Sequence, residues 1–170
     1  MVINIETVNR LYNDYIKRVN EFSEAKIPDS VQLEFEEIGE PAHYSDMTKN
    51  VTVNLKMIKD KNHLKAVVIH ELRHAQQDIM VENFKDGKKL KDVNNDSENW
   101  LNNKKNYIDD ISKNEHYLQP LELDAYAFTH MILDLDKTAN HQTFKQVHKI
   151  VFIKVKNLAK KMIQTYKTTK

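Results

Sequence analysis

The sequence predicts an α+β fold that is mainly helical, with a small antiparallel or mixed sheet of about three strands packed on one long helix. Three observations carry that reading. Five segments repeat apolar residues at helical spacing, and three short segments between residues 31 and 57 alternate apolar with polar residues. Only two glycines and three prolines punctuate 170 residues, so few places force regular structure to stop. A chain of this length buries a core without staples, and one domain over residues 1–170 is expected.

The elements follow in order. Val8, Leu11, Tyr12, Tyr15, Val19 and Phe22 predict a packing helix over about 5–22, broken by Ile27-Pro28-Asp29-Ser30. Val31, Leu33 and Phe35 alternate with Gln32, Glu34 and Glu36, as a half-buried strand requires. Gly39-Glu40-Pro41 turns the chain, Ala42-His43-Tyr44-Ser45 reads as a short strand, and Val51, Val53, Leu55 and Met57 mark a third. Short connections between them imply an antiparallel meander. A helix then runs from about Asn62 to Asn83, followed by a polar stretch from Phe84 to Asn99 that reads as an exposed, mobile loop. Trp100, Lys104, Tyr107, Ile108 and Ile111 resume helical spacing, and Ser112 to Gln119 is a second connection. Leu121, Ala125, Phe128, Ile132 and Leu135 give a helix over 121–136, with Pro120 suited to its first turn. A final helix over 140–166 carries Phe144, Val147, Val151, Val155, Leu158 and Met162 on one face, with no internal repeat and no heptad.

The chemistry sits in the fifth element, the helix over about 62–83. His70-Glu71-Leu72-Arg73-His74 is an H-E-x-x-H sequence entered through Val67-Val68-Ile69. On a helix, residues four apart lie about 40° apart around the axis and ~6 Å along it, so both imidazoles reach one metal ion. Glu71 then stands beside the ion, where a base acting on water belongs. With eight histidines and twelve glutamates the pattern arises by chance about 3 times in 100, so its surroundings have to support it. The stripe of Leu64, Val67, Val68, Ala75 and Ile79 does so, because a metal-binding helix must also pack against a sheet.

Composition narrows the alternatives. Zero cysteines exclude disulfides and thiolate ligands, leaving nitrogen and oxygen to hold any metal. The net charge of +1 gives no general electrostatic case for nucleic acid or membranes. That charge is uneven: Glu34, Glu36, Glu37 and Glu40 form an acidic segment, and the tail from Lys145 to Lys170 is basic, which reads as a solvated helix face. No apolar run approaches the ~20 residues that span a bilayer, and the amino terminus lacks an export signal, so a soluble cytoplasmic protein is expected. Nothing indicates an oligomeric state.

A catalytic zinc takes three protein ligands and keeps a position for water. The third candidate is Glu122, in Tyr117-Leu118-Gln119-Pro120-Leu121-Glu122-Leu123-Asp124-Ala125, with Asp124 and Glu115 as competitors. At this point the sequence resembles the gluzincin metallopeptidases, thermolysin-like in their core, and looks most similar to small ImmA/IrrE-type and related mobile-element families. Those often show Pro-x-Glu-x-(Glu/Asp)-Ala after the H-E-x-x-H helix, and Pro120, Glu122, Asp124 and Ala125 stand at the matching places. The resemblance implies a zincin-like fold over about 31–135, one Zn²⁺ held by His70, His74 and Glu122, and Asp124 supporting the ligands from behind. It also implies that Ala42, His43, Tyr44 and Ser45 form an edge strand lining a substrate cleft, where an extended peptide adds as a further strand. Many gluzincins place an Asp four residues after the glutamate ligand to hold a zinc histidine; here that position is Tyr126.

The expected activity is hydrolysis of peptide bonds in a protein or peptide substrate, with Glu71 as general base and then general acid. His116, Tyr117 and Tyr107 are candidate donors to the oxyanion. Arg73 reads as a structural ion pair, while His63, His130, His141 and His148 are assigned no chemistry. Two other classes compete: a catalytically silent zinc-containing module holding a partner protein on its edge strand, and a nucleic-acid-associated regulator using the basic last helix. An intact Glu71 argues against the silent module, which has no use for a carboxylate there.

Overall fold

The computed structural model describes residues 4–109, 112–138 and 149–169. Among these residues the fold is α+β, with six α-helices, a small mixed sheet of three strands and 61% helix. Helix α1 (Ile5–Asn20) starts at Asn4, whose side chain accepts from the Thr7 amide at 2.9 Å, and it buries Val8, Leu11, Tyr12, Tyr15 and Val19. The Tyr12 hydroxyl donates to the Val31 carbonyl, tying this helix to the chain entering the sheet.

The strands are β1 (Gln32–Phe35), β2 (Ala42–Ser45) and β3 (Asn50–Val53). Their order corrects the meander expected from the sequence. It is β1-β3-β2, with β1 parallel to β3 and β2 antiparallel to β3. Two features account for it. Residues 46–49 form a tight turn with Lys49 at φ 60°, so β2 and β3 pair as a hairpin. The connection from Glu36 to Pro41 instead passes the end of β3, held there by the Asn54 side chain on the Ile38 carbonyl and the Asn54 amide on the Pro41 carbonyl. The strand with both valines fully buried, Val51 and Val53, thus takes the middle, and β2 is left as an edge. The third strand is also shorter than its alternation suggests. Asn54 caps a single 3-10 turn (Leu55–Met57), a local bond that competes with the ladder.

Helix α2 (Lys61–Lys85) is the longest helix among the described residues, capped by Asp60 through the His63 amide. It contacts α1, β2, β3, the third helix and the fifth helix. The following stretch is less exposed than its polar sequence suggests: Val93 and Ser97 are buried, and Asp92 pairs with Ser23 in an isolated bridge. Helix α3 (Ser97–Lys105) begins earlier and ends earlier than expected, so Tyr107 and Ile108 lie beyond it; Ile111 lies outside the described residues. The connection after it contains a short helix, α4 (Asn114–Leu118). Helix α5 (Pro120–Leu135) has Pro120 at its start, and α6 (Lys149–Thr169) buries Val151, Val155, Ala159 and Met162; positions 140–148 lie outside the described residues.

One cluster of buried apolar residues runs from Val8 through β3, α2 and α5 to Met162. A smaller one, centred on Trp100 with Ala25, Met80, Val81 and Leu121, seats α3 and the start of α5 against the other end of α2. Both clusters grip α2 and α5, the helices that carry the residues described next. Among the described residues no helix is long and apolar enough to cross a membrane.

Candidate metal centre

His70 and His74 leave α2 one turn apart, and Glu122 reaches them from the first turn of α5. The two Nε2 atoms are 3.0 Å apart, Glu122 Oε2 is 3.2 Å from His70 Nε2, and Glu122 Oε1 is 3.3 Å from His74 Nε2. Among the described residues these three form a group that could hold a metal ion. The geometry fits one closely. Bonds of about 2.0–2.1 Å in a tetrahedral site put neighbouring ligand atoms about 3.3–3.4 Å apart, close to the three separations found. Three acceptor atoms also converge here in a largely buried place, with Glu122 only 3% exposed, and such an arrangement calls for a cation or a proton between them. Neither Asp124 nor Glu115 belongs to the group; Glu115 faces solvent.

In the metal-free chain the electrostatics follow from the same closeness. Burial pushes the His74 pKa down, but the charge and hydrogen bond of Glu122 outweigh it and bring it up to about 9. Burial pushes Glu122 up, yet the two imidazoles hold it well below the usual carboxylate range. Glu71, 7% exposed, moves the other way: burial raises it, and the neighbouring histidines offset only part of that rise.

The edge strand holds Glu71. The Tyr44 amide donates to Glu71 Oε2 at 2.8 Å, while the Tyr44 hydroxyl donates to Asp78 one helical stretch further along α2. Lys49 and Lys104 also engage Asp78, and Lys104 reaches back to Asp46 in the β2–β3 turn. Strand and helix are thereby fixed to each other beside the centre. Ala42 and Tyr44 are buried, Ser45 is half-buried, and His43 is exposed at the rim, paired with Glu40, whose hydrogen bond raises its pKa.

The three donor candidates differ in placement. The Tyr107 hydroxyl donates to Glu122 Oε1. His116 Nδ1 lies 2.7 Å from the Ile108 carbonyl, which can only accept, so that nitrogen carries the proton; its Nε2 is 3.8 Å from Glu122. Tyr117 makes no hydrogen bond to Glu122; its ring packs on His116 and Tyr126. All three line a cavity of about 560 Å³ together with His70, Glu71 and the residues of β2. His63 also lines it, its Nδ1 accepting from the Lys59 amide, while buried His130 is not among its lining residues and pairs with Asp134. His141 and His148 lie outside the described residues.

Asp124 meets the two histidines only indirectly. It touches neither histidine, and instead accepts from Arg73, Gln77 and Asn94. Gln77 makes the contact, its Oε1 lying 2.8 Å from His74 Nδ1. Nothing in the pattern of H-E-x-x-H marks Gln77 out, although its place three residues after His74 puts it on the same helix face. Tyr126, where an Asp was expected from the resemblance, lays its ring against His70 with centroids 4.4 Å apart. Arg73 is fully buried, held bidentately by Asp92 at 2.7 and 2.8 Å and by Asp124 at 2.7 Å, with Phe128 beneath its guanidinium.

No protein-family model matches the chain, and no curated protein or solved structure shows significant similarity to it.

Proposed function

We propose that this protein is a zinc-dependent metallopeptidase with a zincin-like, gluzincin-type fold, hydrolysing peptide bonds in a protein or peptide substrate. The observation that carries the reading is the joint placement of three convergent ligand atoms and a buried carboxylate hung on an edge strand. A set of two imidazoles and one carboxylate suits zinc and leaves room for a fourth, non-protein ligand. When bound, zinc supplies Lewis acidity, lowering the pKa of water and polarising a carbonyl oxygen.

The chain's own groups supply the rest. Tyr44 engages one oxygen of Glu71 and leaves the other to take a proton from water as the water oxygen bonds to the scissile carbon. The protonated Glu71 carboxyl then delivers that proton to the nitrogen as the carbon–nitrogen bond breaks. The Tyr107 hydroxyl stands against Glu122, a position from which a donor can meet negative charge developing on the carbonyl oxygen, and His116, whose Nδ1 proton is held by the Ile108 carbonyl, donates there through Nε2 only as the imidazolium.

The edge strand supports an extended substrate. The Asn54 amide donates to the Pro41 carbonyl, so residues 41, 43 and 45 face β3 while Ala42 and Tyr44 face away from it. With the Tyr44 amide committed to Glu71, the Ala42 amide and the carbonyls of Ala42 and Tyr44 remain to pair with a peptide laid along the cleft.

The test is metal analysis of the purified protein followed by cleavage of a mixed peptide library with and without chelator. One zinc per chain and chelator-sensitive cleavage are expected. Glu71→Gln should keep zinc and fold while losing 10²–10⁴ in rate, on the order of what general acid–base catalysis contributes. Cleavage unaffected by that substitution would refute the role of Glu71, and zinc binding without any cleavage would favour a silent binding module.

A further inference from the structure

We infer that Gln77 is the positioning residue that makes His74 a ligand, by fixing its ring proton on Nδ1 and so presenting the Nε2 lone pair to the metal. The inference rests on the metal reading above and concerns residues that H-E-x-x-H does not include.

The relay runs inward from Arg73. A guanidinium can only donate, and Arg73 donates through Nε to Asp124 Oδ2 at 2.7 Å and through a terminal nitrogen to Oδ1 at 3.3 Å. Asn94 donates to Oδ1 as well, at 2.8 Å. Both oxygens of Asp124 are therefore acceptors. Gln77 Nε2 lies 2.7 Å from Asp124 Oδ2 and 2.9 Å from the Leu121 carbonyl, two acceptors for the two protons of one amide nitrogen. Turning the amide over would set its oxygen against both, so the orientation is fixed by hydrogen bonding. The atom left facing His74 Nδ1 is Oε1, 2.8 Å away, and an amide oxygen only accepts. His74 must then carry its proton on Nδ1. In the neutral ring the lone pair falls on Nε2, the atom 3.3 Å from Glu122 and 3.0 Å from His70.

His70 has no such partner among the described residues. Its Nδ1 is buried and makes no hydrogen bond with any of them, and the ring is placed by packing on Tyr126. The two histidines are therefore unequal: His74 is oriented by a polar relay from Arg73 through Asp124 and Gln77, and His70 by an aromatic face.

The experiment compares zinc affinity, by competition with a chromophoric chelator, for the wild type, Gln77→Met and Gln77→Glu, with metal-free thermal unfolding as a check on folding. Gln77 is fully buried, so a packing role and a positioning role predict opposite rankings. Methionine keeps the shape and loses the acceptor; glutamate keeps an acceptor and adds a charge beside Asp124. Positioning predicts that Gln77→Met loses roughly 10–100-fold in zinc affinity, the usual cost of removing such a partner, while Gln77→Glu binds more tightly than Gln77→Met. Methionine at wild-type affinity, or methionine binding more tightly than glutamate, overturns the assignment. A second readout needs no variant. Long-range nitrogen–proton correlation spectra of zinc-loaded wild type should show the His74 proton on Nδ1, and a proton on Nε2 with zinc at Nδ1 refutes the relay. A wild type that binds no zinc removes the metal reading itself, whereas a zinc-binding wild type matched by Gln77→Met removes only this inference.

Discussion

The metal-free protein should lose stability as pH rises from 6.5 to 9, and bound zinc should abolish that loss. Glu122 beside it outweighs burial at His74 and lifts the pKa from 6.5 to about 9. A folded-state pKa above the unfolded one means the native state holds this proton more tightly. The resulting stabilisation is complete below pH 6.5, fades between 6.5 and 9, and is gone above. At about 1.4 kcal/mol per pH unit, the span amounts to about 3 kcal/mol, a large part of the 5–15 kcal/mol typical of a whole domain. For a chain of this size it corresponds to a fall of roughly 10 °C in Tm. Zinc takes the place of the proton, so its stabilising effect widens over the same window. Urea midpoints at constant ionic strength, measured with chelator and with stoichiometric zinc at intervals across the window, make the comparison. Glu122→Gln should flatten the metal-free curve. A metal-free stability that stays level or climbs from 6.5 to 9 would refute the His74–Glu122 pairing on which the calculation depends.

Other perturbations follow from the same contacts. Glu122→Gln removes the only anion from the donor group, and zinc should no longer copurify; a stoichiometric zinc content would exclude Glu122 as a ligand. Tyr107→Phe removes the hydroxyl that meets Glu122, and should leave zinc content intact while lowering kcat by about 10²–10³ if that group serves the oxyanion, as steady-state cleavage of a peptide substrate would register. Arg73→Met strands two buried carboxylates, Asp92 and Asp124, and should cost about 3–5 kcal/mol, read as a lower urea midpoint in the metal-free protein. Lowering the pH should weaken the joint between β2 and α2, because Lys104 and Lys49 together with their hydrogen bonds overcome burial and depress the Asp78 pKa below 3.8. Its contribution is present above that value and lost as pH falls through the folded pKa, which hydrogen exchange of the Tyr44 amide would report.

Much of this fold can be read from the sequence wherever one face of an element decides the matter. Helix α2 declares itself through H-E-x-x-H and its apolar stripe, and β1, β2 and β3 through alternation, because burial imposes a period on each. Strand order is different in kind. Alternation tells which side chains face the core and nothing about which strand lies next to which, so the parallel pairing of β1 with β3 depends on the path of residues 36–41. The polar stretch after α2 misleads for a related reason. Asp92 and Asn94 read as loop residues, and their carboxylate and carbonyl are in fact spent on a buried guanidinium. Within the centre, the spacing of His70 and His74 is a property of one helix and is plain from the sequence. Glu122 is 48 residues beyond His74, and from the sequence it competes with Asp124 and Glu115, the resemblance alone singling it out before the structure brought α5 against α2. Gln77 escaped because its amide acquires a role only once Asp124 fixes which end faces the ring.

The two middle positions of the motif show how fold and centre depend on each other. On a surface helix with one apolar stripe, one of them would face water. Here Leu72 and Arg73 are both fully buried, because α2 packs against neighbours on several sides. Leucine at such a place contributes to the core, but a guanidinium must be taken out of water, at a cost of several kcal/mol that ion pairing in a dry interior often only balances. Arg73 is therefore a poor choice if stability were all that its position served. What its neighbours receive is direction: Asp124 is turned by Arg73, Gln77 by Asp124, and His74 by Gln77. Lysine could neutralise the same carboxylates and could not hold both at once through a planar fork, so Arg73→Lys should retain more stability than Arg73→Met and still weaken zinc binding. Unchanged zinc affinity in a folded Arg73→Lys protein would reduce the buried arginine to a packing residue and separate the core from the centre it surrounds.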